Sequence, residues 1–231
     1  TATLDDTDAS PNTVGGSLYL AGDKLWPVSR SEKSKRMDGD LSDWTSLGMH
    51  GSPLTPEGGQ RNWTGPEDGG IQFDVRYDDD FVYFAAIVTD DEVNAVSTKT
   101  PLEQDGVHLY FDARPDPDRS AGRGEGIMID FLLVSVSPGE GGPSSVYLRD
   151  LLPPDVVIAS TFTPTGYTVE IAIPTAYLNE HQGRDWDAFR LDVRMNDYDG
   201  EETAGEQSIL GWRPGWRTPF TFPGSGTFVK Q

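Results

Sequence analysis

Apolar and polar residues alternate with a period of two through much of this chain. Between 71 and 77, Ile71, Phe73, Val75 and Tyr77 share one side, and Gln72, Asp74 and Arg76 the other. A strand sends successive side chains to opposite faces, so this run predicts a half-buried strand. The turn Asp78-Asp79-Asp80 follows, then the apolar run Phe81 to Val88. Together they predict a hairpin whose second strand is buried on both faces. In 106–112, Val107, Leu109 and Phe111 oppose His108, Tyr110 and Asp112. The pattern recurs at 127–134 and 167–173. In 189–196, Phe189, Leu191, Val193 and Met195 oppose Arg190, Asp192, Arg194 and Asn196.

Further strands are expected near 145–149, 156–162, 207–212 and 227–230, and one helical turn after Pro174. Gly and Pro are spread along the chain, which suits short strands joined by turns. The expected architecture is all-β, a two-sheet antiparallel β-sandwich. Residues 1–36 read as an N-terminal extension or arm. Within it, 1–17 are polar, 18–28 are apolar enough for an edge strand, and 29–36 (SRSEKSKR) are a basic, solvated linker. Residues 37–231 read as the sandwich domain.

Charge narrows the partners. The 231 residues carry a formal net charge of −20. Such a surface repels phosphate backbones and acidic lipids, so nucleic acid is not expected as a partner. No apolar run is long enough to span a membrane as a helix. Cys is absent, which excludes disulfides, thiolate catalysis, zinc–thiolate sites and covalent c-type haem attachment. No serine-hydrolase, zinc-protease or Walker motif occurs, so the chain is not expected to be an enzyme. A secreted, extracellular or periplasmic location is expected.

The order of motifs says more. MDGDLSDW (37–44) precedes FDVRYDDDFVYFAAIVTDDEV (73–93), EQDGVHLYFD (103–112), GYTVEIAIP (166–174), FRLDVRMNDYDG (189–200) and WRTPFTF (216–222). This series resembles the family 9 carbohydrate-binding modules, over about 37–231. The resemblance implies an immunoglobulin-like or jelly-roll sandwich that binds sugar ends between two Trp side chains and carries structural calcium. Trp216 stands where the family has its second clamp Trp. Leu102 stands in place of the first, ahead of Glu103, Gln104 and Asp105. His108 replaces a family Glu, and Asp130 and Leu132 occupy positions where an Arg and an Asn are expected.

A sugar ring offers apolar CH faces and a hydroxyl rim, so a site needs an aromatic platform and fixed polar groups. The candidate platforms are Trp216, Trp212 and Trp63; Trp26, Trp44 and Trp186 are expected to pack internally. The candidate polar contacts are Arg194, Asn196 and His108, with Tyr110, Asp130 and Asp192 on the same face. Pairing of Arg194 with Asp130 or Asp192 is the structural alternative, because a buried Arg needs a partner. Calcium is the candidate cofactor, with Asp38, Asp40 and Asp90 as expected ligands and Asp43, Asp91, Asp197 and Asp199 as further carboxylates. No haem is expected: His108 and Met128 lie on one side of neighbouring strands, whereas axial ligands must flank the macrocycle. The expected partner is a carbohydrate. The alternative is a structural or interaction subunit of an extracellular or periplasmic assembly, without sugar binding, and a b-type haem-binding electron-transfer module is the lesser alternative.

Overall fold

The computed structural model describes residues 25–44, 55–58, 62–114, 132–199, 207–212 and 226–231. Among them run β1 (Leu25–Arg30), β2 (Thr55–Gly58), β3 (Gly69–Tyr77), β4 (Phe81–Asp90), β5 (Gly106–Asp112), β6 (Leu132–Ser137) and β7 (Ser145–Val146). Then follow β8 (Val157–Thr163), β9 (Gly166–Pro174), the helix α1 (Thr175–Gln182), β10 (Ala188–Asp197), β11 (Ser208–Gly211) and β12 (Gly226–Lys230). The class is all-β, as the alternation predicts. The expected hairpin is present: Asp78 N donates to Phe81 O at 2.9 Å, and Asp78 Oδ1 accepts from Asp80 N and Phe81 N. The helix after Pro174 is present too, and Gly183 ends it with φ +65°, a left-handed conformation favouring glycine.

Strand pairing runs unbroken in the order β7-β6-β5-β10-β12-β1-β3-β4-β9-β8, with β11 on β10 and β2 on β11. The described strands thus form one continuous, curled sheet. Side chains of β3, β4 and β9 share a single core with those of β5, β6, β10 and β12. Phe111 and Phe189 meet at 4.7 Å, and Phe189 stacks on Phe228 at 5.4 Å. Burying each such side chain contributes roughly 1.5–3 kcal/mol.

The turnover occurs at β1. Leu25–Val28 pair with β12 and Ser29–Arg30 with β3, both in parallel. The remaining pairs are antiparallel. Part of the expected 1–36 arm is therefore an interior strand, with Val28 fully buried, and not an edge strand. A six-residue strand with one deeply buried side chain has too weak an alternation to reveal this. The basic stretch continues from β1 onto the hairpin turn: Arg30 pairs with Asp79, and Ser34 Oγ donates to Asp78 Oδ2 at 2.7 Å.

Residues 37–44 then cross the outer face of β4 and β9. Trp44 packs there with Tyr83, Ala85 and Ala172, which is why β4 is apolar on both sides. Glu170, fully buried on β9, accepts from Gly39 N at 2.7 Å and Asp38 N at 3.1 Å.

Candidate functional site

Two neighbourhoods gather several of the residues singled out by sequence. The first is the outward row of β6, β5 and β10. Cross-strand register places Ser135, His108 and Arg194 side by side, with Leu133, Tyr110 and Asp192 in the next row. Arg194 lies over the Tyr110 ring at 5.1 Å, and its Nε is 3.9 Å from Asp192 Oδ2. The structural pairing weighed for Arg194 is thus present with Asp192; Asp130 lies outside the described residues.

His108 is 3 % exposed and its Nδ1 is 2.9 Å from Ser135 Oγ. Burial holds its imidazole down at about 4, with the Arg194 charge adding to the effect and the neighbouring Asn196 amide opposing it. It is a neutral ring at physiological pH. Asn196 is buried, and its amide donates to Pro101 O at 3.3 Å. Leu132 sits opposite Phe111 and belongs to the core, so it does not face this row. Leu102 is exposed, and its carbonyl accepts from Tyr198 Oη at 3.2 Å.

Trp212 is half-buried. Its ring meets Phe73 edge-on at 5.0 Å and Trp26 at 5.6 Å. It closes one end of the core, where Gly226 leaves it room: a Cβ there would stand 2.7 Å from Trp212 Cη2. Trp63 also packs on the core, its indole donating to Gly69 O at 2.9 Å. Trp216 and Met128 lie outside the described residues. Trp26, Trp44 and Trp186 pack internally, as expected.

The second neighbourhood is acidic and gathers at strand ends. Asp68 precedes β3, Asp90 ends β4, Asp105 precedes β5, and Asp197 ends β10, followed by Asp199. Asp90, Asp105 and Asp197 bring carboxylate oxygens within 4.8 Å of one another, and so do Asp68, Asp197 and Asp199. Asp197 is the shared member. Both of its oxygens are buried without a hydrogen-bond donor, and Asp90 Oδ2 is in the same state. The Tyr167 hydroxyl, fully buried and without a partner, lies in the field of Asp105, Asp90 and Asp197.

Burial, with this crowding added to it, raises Asp90, Asp105 and Asp197. Burial, and then the Asp199 and Asp90 charges, push Asp197 up to about 8. Burial and then Asp90 push Asp105 to about 9, against two backbone N–H donors. Burial pushes Asp90 to about 6, with Asp199, Asp91 and Asp68 adding to it. Close approach is allowed at Gly69, where a Cβ would stand 3.1 Å from Asp197 Oδ2. Buried carboxylate oxygens with no donor are the environment a hard divalent cation satisfies.

Of the three carboxylates expected to bind metal, only Asp90 belongs here. Asp38 and Asp40 are exposed and serve the backbone: Asp38 Oδ1 accepts from Asp40 N, and Asp40 Oδ1 from Ser42 N, each at 3.0 Å. They shape the 3-10 turn Leu41–Asp43. Sequence reasoning missed Asp68 and Asp105 as members. Their signal is register: Asn196 pairs with Gly106, which sets Asp197 opposite Asp105, and Gly69 pairs with Asp90, which brings Asp68 alongside.

Among solved structures, the chain is similar to a family 9 carbohydrate-binding module from Caldicellulosiruptor kristjanssonii in complex with cellotriose. That match has 20% identity and a TM-score of 0.62, covering 90% of this chain and 94% of that one. The same organism's module in complex with glucose matches at 18% identity and TM-score 0.62, covering 90% and 96%. A candidate carbohydrate-binding protein from Bacteroides uniformis matches at 15% identity and TM-score 0.55, covering 90% and 100%. These likenesses concern the fold. No curated protein sequence matches. Residues 59–220 match the model of the carbohydrate family 9 binding domain-like family, and on that extent, with the curled all-β fold in agreement, the chain belongs to this family.

Proposed function

We propose that the chain is a non-catalytic carbohydrate-binding module. The observation that carries this reading is family membership over residues 59–220. Solved structures of the same fold hold cellotriose and glucose, which makes glucose-based chain ends the first ligands to test. Trp216 is the platform on which a ring would stack, with Arg194, Asn196 and His108 as its polar contacts. A secreted or periplasmic location fits the acidic surface; no helix among the described residues is long and apolar enough to cross a membrane.

Calcium is the cation we assign to Asp68, Asp90, Asp105, Asp197 and Asp199. Calcium takes six to eight oxygen ligands in flexible geometry, and five carboxylates from four strand ends match that demand. Its chemistry there is charge neutralisation that holds the strand ends together.

A second reading, an accessory subunit without sugar binding, is favoured by Leu102 in the position of an aromatic clamp and by the burial of His108 and Asn196. Calorimetry with cellotriose, glucose and xylo-oligosaccharides separates the two. Saturable binding that disappears in Trp216→Ala supports the module. Absence of binding to every glycan, in calcium as well as in chelator, rejects it in favour of the subunit.

A further inference from the structure

The chain between β4 and β5, residues 91–105, is tied down mainly by polar contacts, with Val93 as the side chain it packs against the core. Its tip residues 96–100 are exposed, and of 91–105 only Pro101, Gln104 and Asp105 are buried. None of these is a large apolar anchor. What holds the loop is a set of hydrogen bonds that converge on Asp105, Asn94 and Tyr198. Asp105 Oδ1 accepts from Tyr198 N at 2.6 Å, and its Oδ2 accepts from Asn94 N. Asp105 N donates to Asn94 O at 3.2 Å. The Asn94 side-chain amide donates to Tyr198 O at 2.7 Å. Tyr198 Oη and the Asn196 amide then reach along the loop to the carbonyls of Leu102 and Pro101.

Asp105 faces two ways. One side is the knot of this loop. The other is the carboxylate trio with Asp90 and Asp197. A carboxylate oxygen has two acceptor sites, so the backbone donors and a cation do not compete. Asp90 and Asp197 are the last residues of strands paired on both edges, whereas Asp105 ends a loop. When three buried carboxylates repel, the member on the element with least packing yields first.

We infer that a divalent cation held by Asp90, Asp105 and Asp197 controls the order of the 91–105 loop, with Asn94 and Tyr198 as positioning residues, and so controls how Pro101–Gln104 meet a ligand. The inference rests on the reading of these carboxylates as a cation site. It adds a consequence: the loop beside the proposed sugar site is formed only in the loaded protein.

Hydrogen–deuterium exchange on the full chain, in calcium and in chelator, tests it beside calorimetry of calcium binding. Calcium is expected to slow amides of 91–105 by about tenfold or more beyond any slowing of the β8–β9 hairpin, whose buried strand reports the stability of the whole fold. Asn94→Ala is expected to bind calcium yet lose most of this loop protection. Tyr198→Phe, which removes the hydroxyl contact to Leu102, is expected to lose it in part, and serves if the first variant does not fold. Calcium binding with unaltered exchange in 91–105, or with equal slowing everywhere, overturns the coupling and leaves the cation site standing. Absence of calcium binding removes the cation site and this inference together. Full protection in both variants overturns the positioning role.

Discussion

Glu170 holds Trp44 across 126 residues of sequence: the indole Nε1 donates to Oε1 at 2.9 Å, inside the sheet's outer face. The other carboxylate oxygen takes two backbone N–H groups, from Asp38 and Gly39. Thr168, two residues before it on β9, donates to Gly39 O at 2.7 Å. One buried carboxylate therefore closes residues 37–44 over β4 and β9. Glu170→Gln keeps the shape but turns one acceptor into a donor facing N–H groups. It is expected to cost about 1–3 kcal/mol. Trp44→Ala empties the small outer core and is expected to cost about 3–5 kcal/mol. Urea unfolding of both variants checks this; wild-type midpoints would show that the strap contributes nothing to the fold.

The metal-free protein carries an electrostatic load at Asp90, Asp105 and Asp197. All three are raised in the fold, to about 6, 9 and 8. A carboxylate raised by folding binds more protons when folded, so stability falls as pH climbs from about 4 through these values. A cation binds only the deprotonated set, so its stabilisation grows over the same range. The gap in melting temperature between calcium and chelator is expected to widen from pH 5.5 to pH 8. At a hundredfold excess over Kd it corresponds to about 2.7 kcal/mol. Asp197→Asn is expected to raise the melting temperature in chelator, since it removes repulsion, and to abolish the calcium response. A variant less stable than wild type in chelator would contradict the crowding.

Much of the fold was legible in the sequence, and the reason is the period of two. The alternating runs at 71–77, 106–112, 167–173 and 189–196 became β3, β5, β9 and β10, and the continuous apolar run at 81–88 became β4, covered on both faces. Partnership between strands was not legible. Nothing local in LWPVSR says that it runs parallel between β12 and β3. The acidic cluster was hidden for the same reason. Asp68, Asp90, Asp105 and Asp197 sit at strand ends far apart in sequence, and only pairing brings them together. The DGDLSD segment, with three Asp residues in close spacing, was more conspicuous. Its Asp38 and Asp40 cap a turn, because neighbouring carboxylates on an exposed loop find backbone N–H groups sooner than a shared ion.

His108 gives the fold a second pH dependence, opposite in sign. Its ring is held down at about 4, below its ordinary 6.5. The unfolded chain gains a proton there before the fold does, so stability drops as pH falls from about 6.5 toward 4. The loss approaches roughly 3 kcal/mol at the lower end, since one pKa unit corresponds to about 1.4 kcal/mol. His108→Gln removes this contribution and leaves the carboxylates in place. The difference in unfolding free energy between wild type and variant, followed from pH 7 to pH 4.5, isolates it. A difference that stays constant with pH would mean that the ring titrates normally in the fold.

The two tryptophans of GWRPGW are expected to separate stability from binding. Trp212 touches Phe73, Trp26 and Phe228 and closes the end of the core. Truncating a packed indole of this kind costs about 3–5 kcal/mol. Trp212→Ala should therefore unfold at markedly lower urea, and Gly226→Ala should destabilise too, because its Cβ would collide with the same ring. With Trp216 as the proposed exposed platform, Trp216→Ala should leave the unfolding free energy within about 0.5 kcal/mol of wild type. Its cost should fall on the sugar, about tenfold or more in Kd for the loss of one stacked face, measured by calorimetry with whichever glycan binds. A large stability loss in Trp216→Ala with unchanged sugar affinity would exchange the two assignments and move the platform elsewhere on the sheet.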